Sequence, residues 1–193
     1  ENGSNINQTD NHENSSLICA SRHGHLDIVK YLVENGSNIN QIDIYGKSSL
    51  MSASQYGCFD IVKYLVENGS DINQTNNDGN SSLMSASQYG HLDIVKYLVE
   101  NRSNINQTGI YVNSSLIFAS NKGYLDIVKY LVENGSNINQ IDSYGNSSLI
   151  YASQNGHLDI VKYLVENGSD INQTDNDENS SLMHASKNGC LDI

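Results

Sequence analysis

The sequence predicts an all-α solenoid: stacked helix-turn-helix units with protruding hairpin or loop fingers. Three observations predict it. Leu17, Leu50, Leu83, Leu116, Leu149 and Leu182 recur every 33 residues, and so do Ala20, Ala53, Ala86, Ala119, Ala152 and Ala185. Gly24, Gly57, Gly90, Gly123, Gly156 and Gly189 keep the same step. The phrase DIVKYLVEN stands unaltered at 27–35, 60–68, 93–101, 126–134 and 159–167. The repeats therefore run 10–42, 43–75, 76–108, 109–141 and 142–174, with a partial repeat at 175–193, and 1–193 reads as a single repeat domain.

Repeat 43–75 shows each element in order. Ser48 or Ser49 caps a first helix, because a serine oxygen satisfies a free amide at a helix start. That helix runs LMSASQY and stops at Gly57, which tolerates the left-handed conformation that ends helices. Asp60 opens a second helix, where its charge complements the amino-terminal dipole. Ile61, Val62, Leu65 and Val66 form its apolar face, which Tyr64 broadens. Lys30 and Glu34, four apart, are expected to form a surface pair, as are their equivalents. Asn68-Gly69 ends the second helix, and the polar stretch DINQTNNDGN turns at Asp78-Gly79 to make a finger. Helices of about 8 to 10 residues are marginal alone, so the units must stack.

Composition bounds the function. The 193 residues are 37% hydrophobic and carry 10 basic against 22 acidic residues, a net charge of −12. Phosphate backbones would repel such a chain, whereas a basic surface on a partner protein would attract it. Cys19, Cys58 and Cys190 are too few and too scattered for a disulfide framework, and free thiols suit a reducing compartment. No apolar run is long enough for a membrane helix and no leader opens the chain, so a cytoplasmic or other intracellular setting, the nucleus included, is expected. The Asn-x-Ser/Thr triplets are then expected to stay unglycosylated.

The segment DSYGNSSLIYASQNGHLDIV with YLVENGSDIN, at 142–172, resembles the ankyrin repeat, whose pattern is D-x-x-G-x-T-P-L-H-x-A-x-x-x-G-H-L-E-I-V and L-L-x-x-G-A-D-V-N. The likeness covers the whole chain. It implies a curved ankyrin-repeat solenoid with fingers at right angles to paired helices. Ser48 to Met51 replace the family's T-P-L-H, losing a rigid helix start and a histidine hydrogen bond while adding apolar volume. Arg102 replaces a glycine, at about 1 kcal/mol if the position is left-handed. Glu13, Val112 and Glu178 replace finger glycines, so those turns are expected to deviate. Gly109 replaces an acidic residue, which makes 109–113 the most irregular finger. The likeness also makes Asn40, Asn73, Asn106, Asn139 and Asn172 potential hydroxylation sites, although bonding of their side chains to the loop backbone is the preferred reading.

Residues 1–9, ENGSNINQT, match 34–42, and the sequence closes on Leu191-Asp192-Ile193 at a second-helix start. The chain accordingly reads as a segment of a longer array.

No catalytic constellation or cofactor motif emerges, because like groups are spread along the repeat axis. His25, Cys58, His91, Tyr124, His157 and Cys190 share one repeat position and suggest a metal array. Helices packed about 8–10 Å apart separate such residues too widely for one zinc, whose bonds are about 2.0–2.3 Å. The acids Asp27, Asp60, Asp93, Asp126 and Asp159 serve as helix starts. A non-catalytic protein without metal or cofactor is expected.

An invariant second helix cannot distinguish one place from another, but three variable series can. The finger tips hold Tyr45, Tyr111 and Tyr144. The first helices hold Phe118 and Tyr151 in the series Cys19, Ser52, Ser85, Phe118, Tyr151, His184. The residues before the helix-terminal glycine include Tyr56, Tyr89, Lys122 and Gln154. Resemblance places these series on the concave face through which ankyrin-type proteins bind partners, and aromatic residues are favoured interface anchors. The chain is expected to be a monomeric protein-protein interaction scaffold with its strongest contacts around Phe118, Tyr151, Tyr111 and Tyr144. Two other readings are the recruiting arm of a larger enzyme or ubiquitin-ligase adaptor, and a spacer without specific ligand.

Overall fold

The computed structural model describes residues 5–190. The helix start read at 191–193 and the first residues of the opening match lie outside the described residues. Eleven helices are described: α1 (Ser16–Arg22), α2 (Leu26–Glu34), α3 (Ser49–Gln55), α4 (Phe59–Glu67), α5 (Ser82–Tyr89), α6 (Leu92–Glu100), α7 (Ser115–Lys122), α8 (Leu125–Glu133), α9 (Ser148–Gln154), α10 (Leu158–Glu166) and α11 (Ser181–Lys187). Two compact units divide the chain, residues 1–86 with 93–103, and residues 87–92 with 104–193.

In the first unit α1 packs on α2 and α3, α3 on α4, and α2 on α4. Leu17, Ile18, Leu50 and Met51 from the first helices meet Val29, Ile61, Val62 and Leu65 from the second, all buried. In the second unit α7 packs on α8 and α9, and α9 on α10 and α11. Its core is Leu116, Ile117, Leu149 and Ile150 with Ile127, Val128, Leu131, Ile160 and Leu164. Ile and Met at the position of the family histidine thus supply core volume. Leu182 and Met183 are exceptions, exposed on α11, which packs on α9.

The first helices start where serine places an acceptor. Ser48, not Ser49, is the cap of α3: its backbone is extended and its Oγ accepts from the Met51 amide at 3.3 Å. Ser15, Ser81, Ser114, Ser147 and Ser180 do the same one helix apart. The second helices carry their aspartate in the first turn. The anticipated pair of Lys30 with Glu34 does not close to an ion pair. Lysine preceding glutamate by four is the less favourable order. On α8 the lysine instead lies over the next repeat's ring, Lys129 Nζ being 5.9 Å from the centre of Tyr163. Tyr64, Tyr97 and Tyr163 are partly covered, and burial, followed by Glu34, Glu67 and Glu133 of the preceding repeat, raises their hydroxyl pKa values.

Two side-chain devices hold the loops. At the finger, the first acidic or amide residue clasps its own turn: Asp43 Oδ1 accepts from the amides of Tyr45 and Lys47, both at 2.9 Å. Asp10, Asn76, Asp142 and Asp175 repeat this clasp. At the finger base, an asparagine bonds the next repeat's loop backbone. Asn40 Oδ1 accepts from the Asp71 amide, Asn106 from Asn137 and Asn139 from Asp170, at 2.8–2.9 Å.

Finger 109–113 lacks the clasp because Gly109 has no side chain. It is also the finger without a β-bridge at its base among the described residues, whereas Thr9–Ser15, Ile42–Ser48, Thr75–Ser81, Ile141–Ser147 and Thr174–Ser180 are bridged. The turns at Glu13, Val112 and Glu178, expected to deviate, keep the glycine-like geometry instead, with φ of 59°, 59° and 63°. Hydrogen bonds enforce it: the amides of Glu13, Val112 and Glu178 donate to the carbonyls of Asp10, Gly109 and Asp175 at 2.9–3.0 Å. Arg102 sits likewise at φ 68°. A β-branched side chain suffers most in this region. Val112→Gly is therefore expected to raise unfolding free energy by about 1 kcal/mol, measured by urea denaturation.

Candidate functional site

Successive finger tips are joined by backbone hydrogen bonds, which sets their side chains next to one another. In the first unit the Ile44 amide donates to the His12 carbonyl at 3.1 Å, and the Asn77 amide to Tyr45 at 3.0 Å. In the second unit the Ser143 amide donates to Tyr111 at 2.9 Å, and the Asn176 amide to Tyr144 at 3.0 Å. Tyr111 and Tyr144 are thus neighbours on adjoining fingers, and they are 53% and 60% exposed.

Tyr45 and Tyr56 come together in the first unit. They line a cleft of about 310 Å³ with His12, Asn14, Arg22, Asp43, Lys47, Ser52 and Gln55. Both tyrosines are more than half exposed, whereas Asp43 is only 4% exposed. Arg22 Nη2 lies 3.8 Å from Asp43 Oδ2 and donates to Asn14 Oδ1 at 3.2 Å. Lys47 Nζ donates to Gln55 Oε1 at 3.1 Å.

In the second unit the first-helix series turns towards its own finger. Tyr151 Oη donates to Asp142 Oδ2 at 2.6 Å. Burial, with that hydrogen bond, pushes the Tyr151 hydroxyl well above its usual range. His184 Nε2 donates to Asp175 Oδ2 at 2.8 Å in the same way. Phe118 holds the equivalent place in the repeat whose finger begins with Gly109, where no carboxylate is present to accept. Phe118 and Tyr151 are partly buried, so Tyr151 both presents a ring face and braces a finger. Tyr89 and Lys122, the last residues of α5 and α7, are exposed. Gln154, the last residue of α9, is half-buried, and its carbonyl accepts from Asn188 Nδ2 at 2.9 Å.

Partial burial would raise the Asp175 carboxyl. The amides of Asn179 and Asp177, the Asn179 side chain and His184 all donate to it and outweigh that effect, holding it at about 2, below the ordinary 3.8. A depressed carboxyl contributes stability that is present above its unfolded value and lost as pH falls through its folded one. The finger at 175–179 is therefore expected to loosen between about pH 4 and pH 2. Amide hydrogen exchange at Asp177 and Asn179 reads this, and Asp175→Asn should flatten the dependence.

The mixed His, Cys and Tyr series has a packing role. Four of its members lie against the helix-terminal glycine of the preceding repeat: Cys58 at Gly24, Tyr124 at Gly90, His157 at Gly123 and Cys190 at Gly156. His157 Nε2 also bonds the Asn121 carbonyl at 3.2 Å. No group of three or more His, Cys, Asp or Glu among the described residues is placed to hold a metal ion. No helix among them is long and apolar enough to cross a membrane.

Sequence reasoning singled out Tyr45 and Tyr56 but not Asp43 or Lys47 beside them. Lys47 carried a signal, because its equivalents are Asn14, Asn80, Asn113, Asn146 and Asn179.

Serial helix pairs, fingers clasped by an acidic or amide residue, and asparagines tying successive loops define a repeat solenoid of one recognisable kind. Family models for ankyrin repeats match residues 2–76 and 116–193 (three copies) and 66–116 (many copies). The chain belongs to the ankyrin-repeat family. Ankyrin repeats are in general protein-protein interaction modules, and the family is typically non-catalytic. No match was found among curated proteins.

Proposed function

We propose that the chain is a non-catalytic scaffold that binds a partner protein through its fingers and first helices, the concave face in ankyrin-type proteins. One observation carries this reading. Of the six exposed tyrosines among the described residues, Tyr45, Tyr56, Tyr89, Tyr111 and Tyr144 lie on fingers or at first-helix ends, in the series that vary between repeats, and Tyr31, on α2, is the exception. Large, rigid rings with a polar tip suit interface anchors, whereas the invariant second helices offer every repeat the same surface. Phe118, Tyr151, Lys122 and Gln154 complete the surface in the second unit. The net charge of −12 favours a partner whose surface is basic overall. A monomer binding one such partner, and a single repeat domain over 1–193, fit this reading.

Photo-crosslinking tests the surface. A benzophenone amino acid at Tyr144 is expected to trap a cellular protein that the same group at Lys162, on a second helix, does not. Trapping from Lys162 alone would refute the assignment.

A further inference from the structure

We propose that the cleft of the first unit receives an acidic side chain of a partner peptide, with an apolar neighbour of that side chain resting on Tyr45 and Tyr56. The inference rests on the binding surface proposed above and names the chemistry of one contact on it.

The cleft is positive in a chain that is strongly negative. Arg22 and Lys47 enter it from different repeats, and Asp43 is its lining carboxylate. Asp43 is already committed: its Oδ1 accepts two backbone amides, and its Oδ2 faces Arg22. Lys47 finds only the neutral oxygen of Gln55. One cationic charge is therefore left without a carboxylate, at the edge of an open space walled by two exposed rings. A carboxylate entering there would replace an amide oxygen with a charged acceptor, and charge-assisted bonds are about twice as strong as neutral ones.

The same register in the second unit shows what is special about this place. The equivalents of Arg22 and Lys47 are Asn121 and Asn146, so that place carries neither cation. The equivalent of Ser52 is Tyr151, whose ring occupies the corresponding space and whose hydroxyl takes the free oxygen of Asp142. Small Ser52 leaves the first cleft open, and two cations line it. Net charge acts over a Debye length of about 10 Å at 0.1 M salt, whereas this cleft acts at contact. A partner that is basic overall can therefore still present one acidic residue here.

The test titrates the whole chain with acetylated Gly-Glu-Leu-Glu-Gly amide, and with its glutamine and lysine counterparts, followed by NMR of the tyrosine rings. The glutamate peptide is expected to shift Tyr45 and Tyr56 saturably, with affinity falling as salt rises. Lys47→Gln should weaken it on the order of tenfold, the loss of one charged hydrogen bond. Ser52→Tyr should abolish binding by filling the cleft while both cations remain, its hydroxyl having Asp43 to accept it. Equal binding of the glutamine peptide would overturn the inference, as would glutamate-dependent shifts outside the cleft or no glutamate binding at all. Saturable binding of the lysine peptide at the same rings would refute the stated chemistry while leaving the proposed surface standing. Loss of the surface itself would show instead in the crosslinking from Tyr144.

Discussion

Gly123→Ala is expected to lower the unfolding free energy by about 3 kcal/mol, three times the effect of Gly135→Ala. Both glycines are left-handed, with φ of 83° and 91°, so each substitution incurs the conformational cost of about 1 kcal/mol. They differ in surroundings. A Cβ at Gly123 would stand 2.7 Å from His157 Cε1 and 2.9 Å from its Nδ1, whereas a Cβ at Gly135 meets nothing within 4 Å. The imidazole cannot simply swing aside, since its Nε2 bonds the Asn121 carbonyl. The extra loss is that of overpacking a filled site, about 1 to 3 kcal/mol. Gly90→Ala should resemble Gly123→Ala, because its Cβ would meet the Tyr124 ring at 2.8 Å. Urea denaturation of the three variants checks this, and equal midpoints for Gly123→Ala and Gly135→Ala would show that the interlocking with the next repeat is not what fixes the glycine.

Removing a serine column should have a large effect of opposite sign. Ser21, Ser54, Ser87, Ser120 and Ser153 lie beside the repeated alanine in the first helices and are fully buried. Their hydroxyl oxygens have no hydrogen-bond partner within reach. A buried hydroxyl left unsatisfied costs about 1 to 3 kcal/mol, and alanine is also the better helix former. Ser54→Ala and Ser120→Ala are each expected to stabilise the chain by about 1 kcal/mol. Thermal unfolding reads the gain. A loss of stability in both variants would mean that the hydroxyls are satisfied in solution.

The helices were legible because their signals are local and reiterated. Ser48 one turn ahead of a buried Leu-Met pair, Asp60 at a dipole and Gly57 at a stop each act within a few residues. The finger turns were legible in position but not in strain. The turn at Val112 was expected to deviate, yet it keeps positive φ, with the Val112 amide donating to the Gly109 carbonyl. Spacing four apart suggested the Lys30 and Glu34 pair, but the order of the two residues disfavours it.

The candidate surface was legible as variation among otherwise identical repeats, which is how Tyr45, Tyr111 and Tyr144 stand out. Its chemistry was hidden for a geometric reason. Arg22, Lys47, Ser52 and Tyr56 come from two repeats and three elements, and only stacking brings them to one cleft. The dual role of Tyr151 was hidden too, since its partner Asp142 is nine residues away on the finger.

Capture of partners from lysate by three forms of the chain tests the central division of labour most directly: the unaltered chain, a finger variant and a second-helix variant. The finger variant is Tyr45→Ala with Tyr56→Ala, Tyr111→Ala and Tyr144→Ala, all exposed positions that leave the core untouched. The second-helix variant is Lys63→Ala with Glu67→Ala, Lys162→Ala and Glu166→Ala, also exposed. With equal thermal stability verified, the finger variant is expected to lose the captured partner and the second-helix variant to keep it. Capture retained by the finger variant and lost by the second-helix variant would contradict the account.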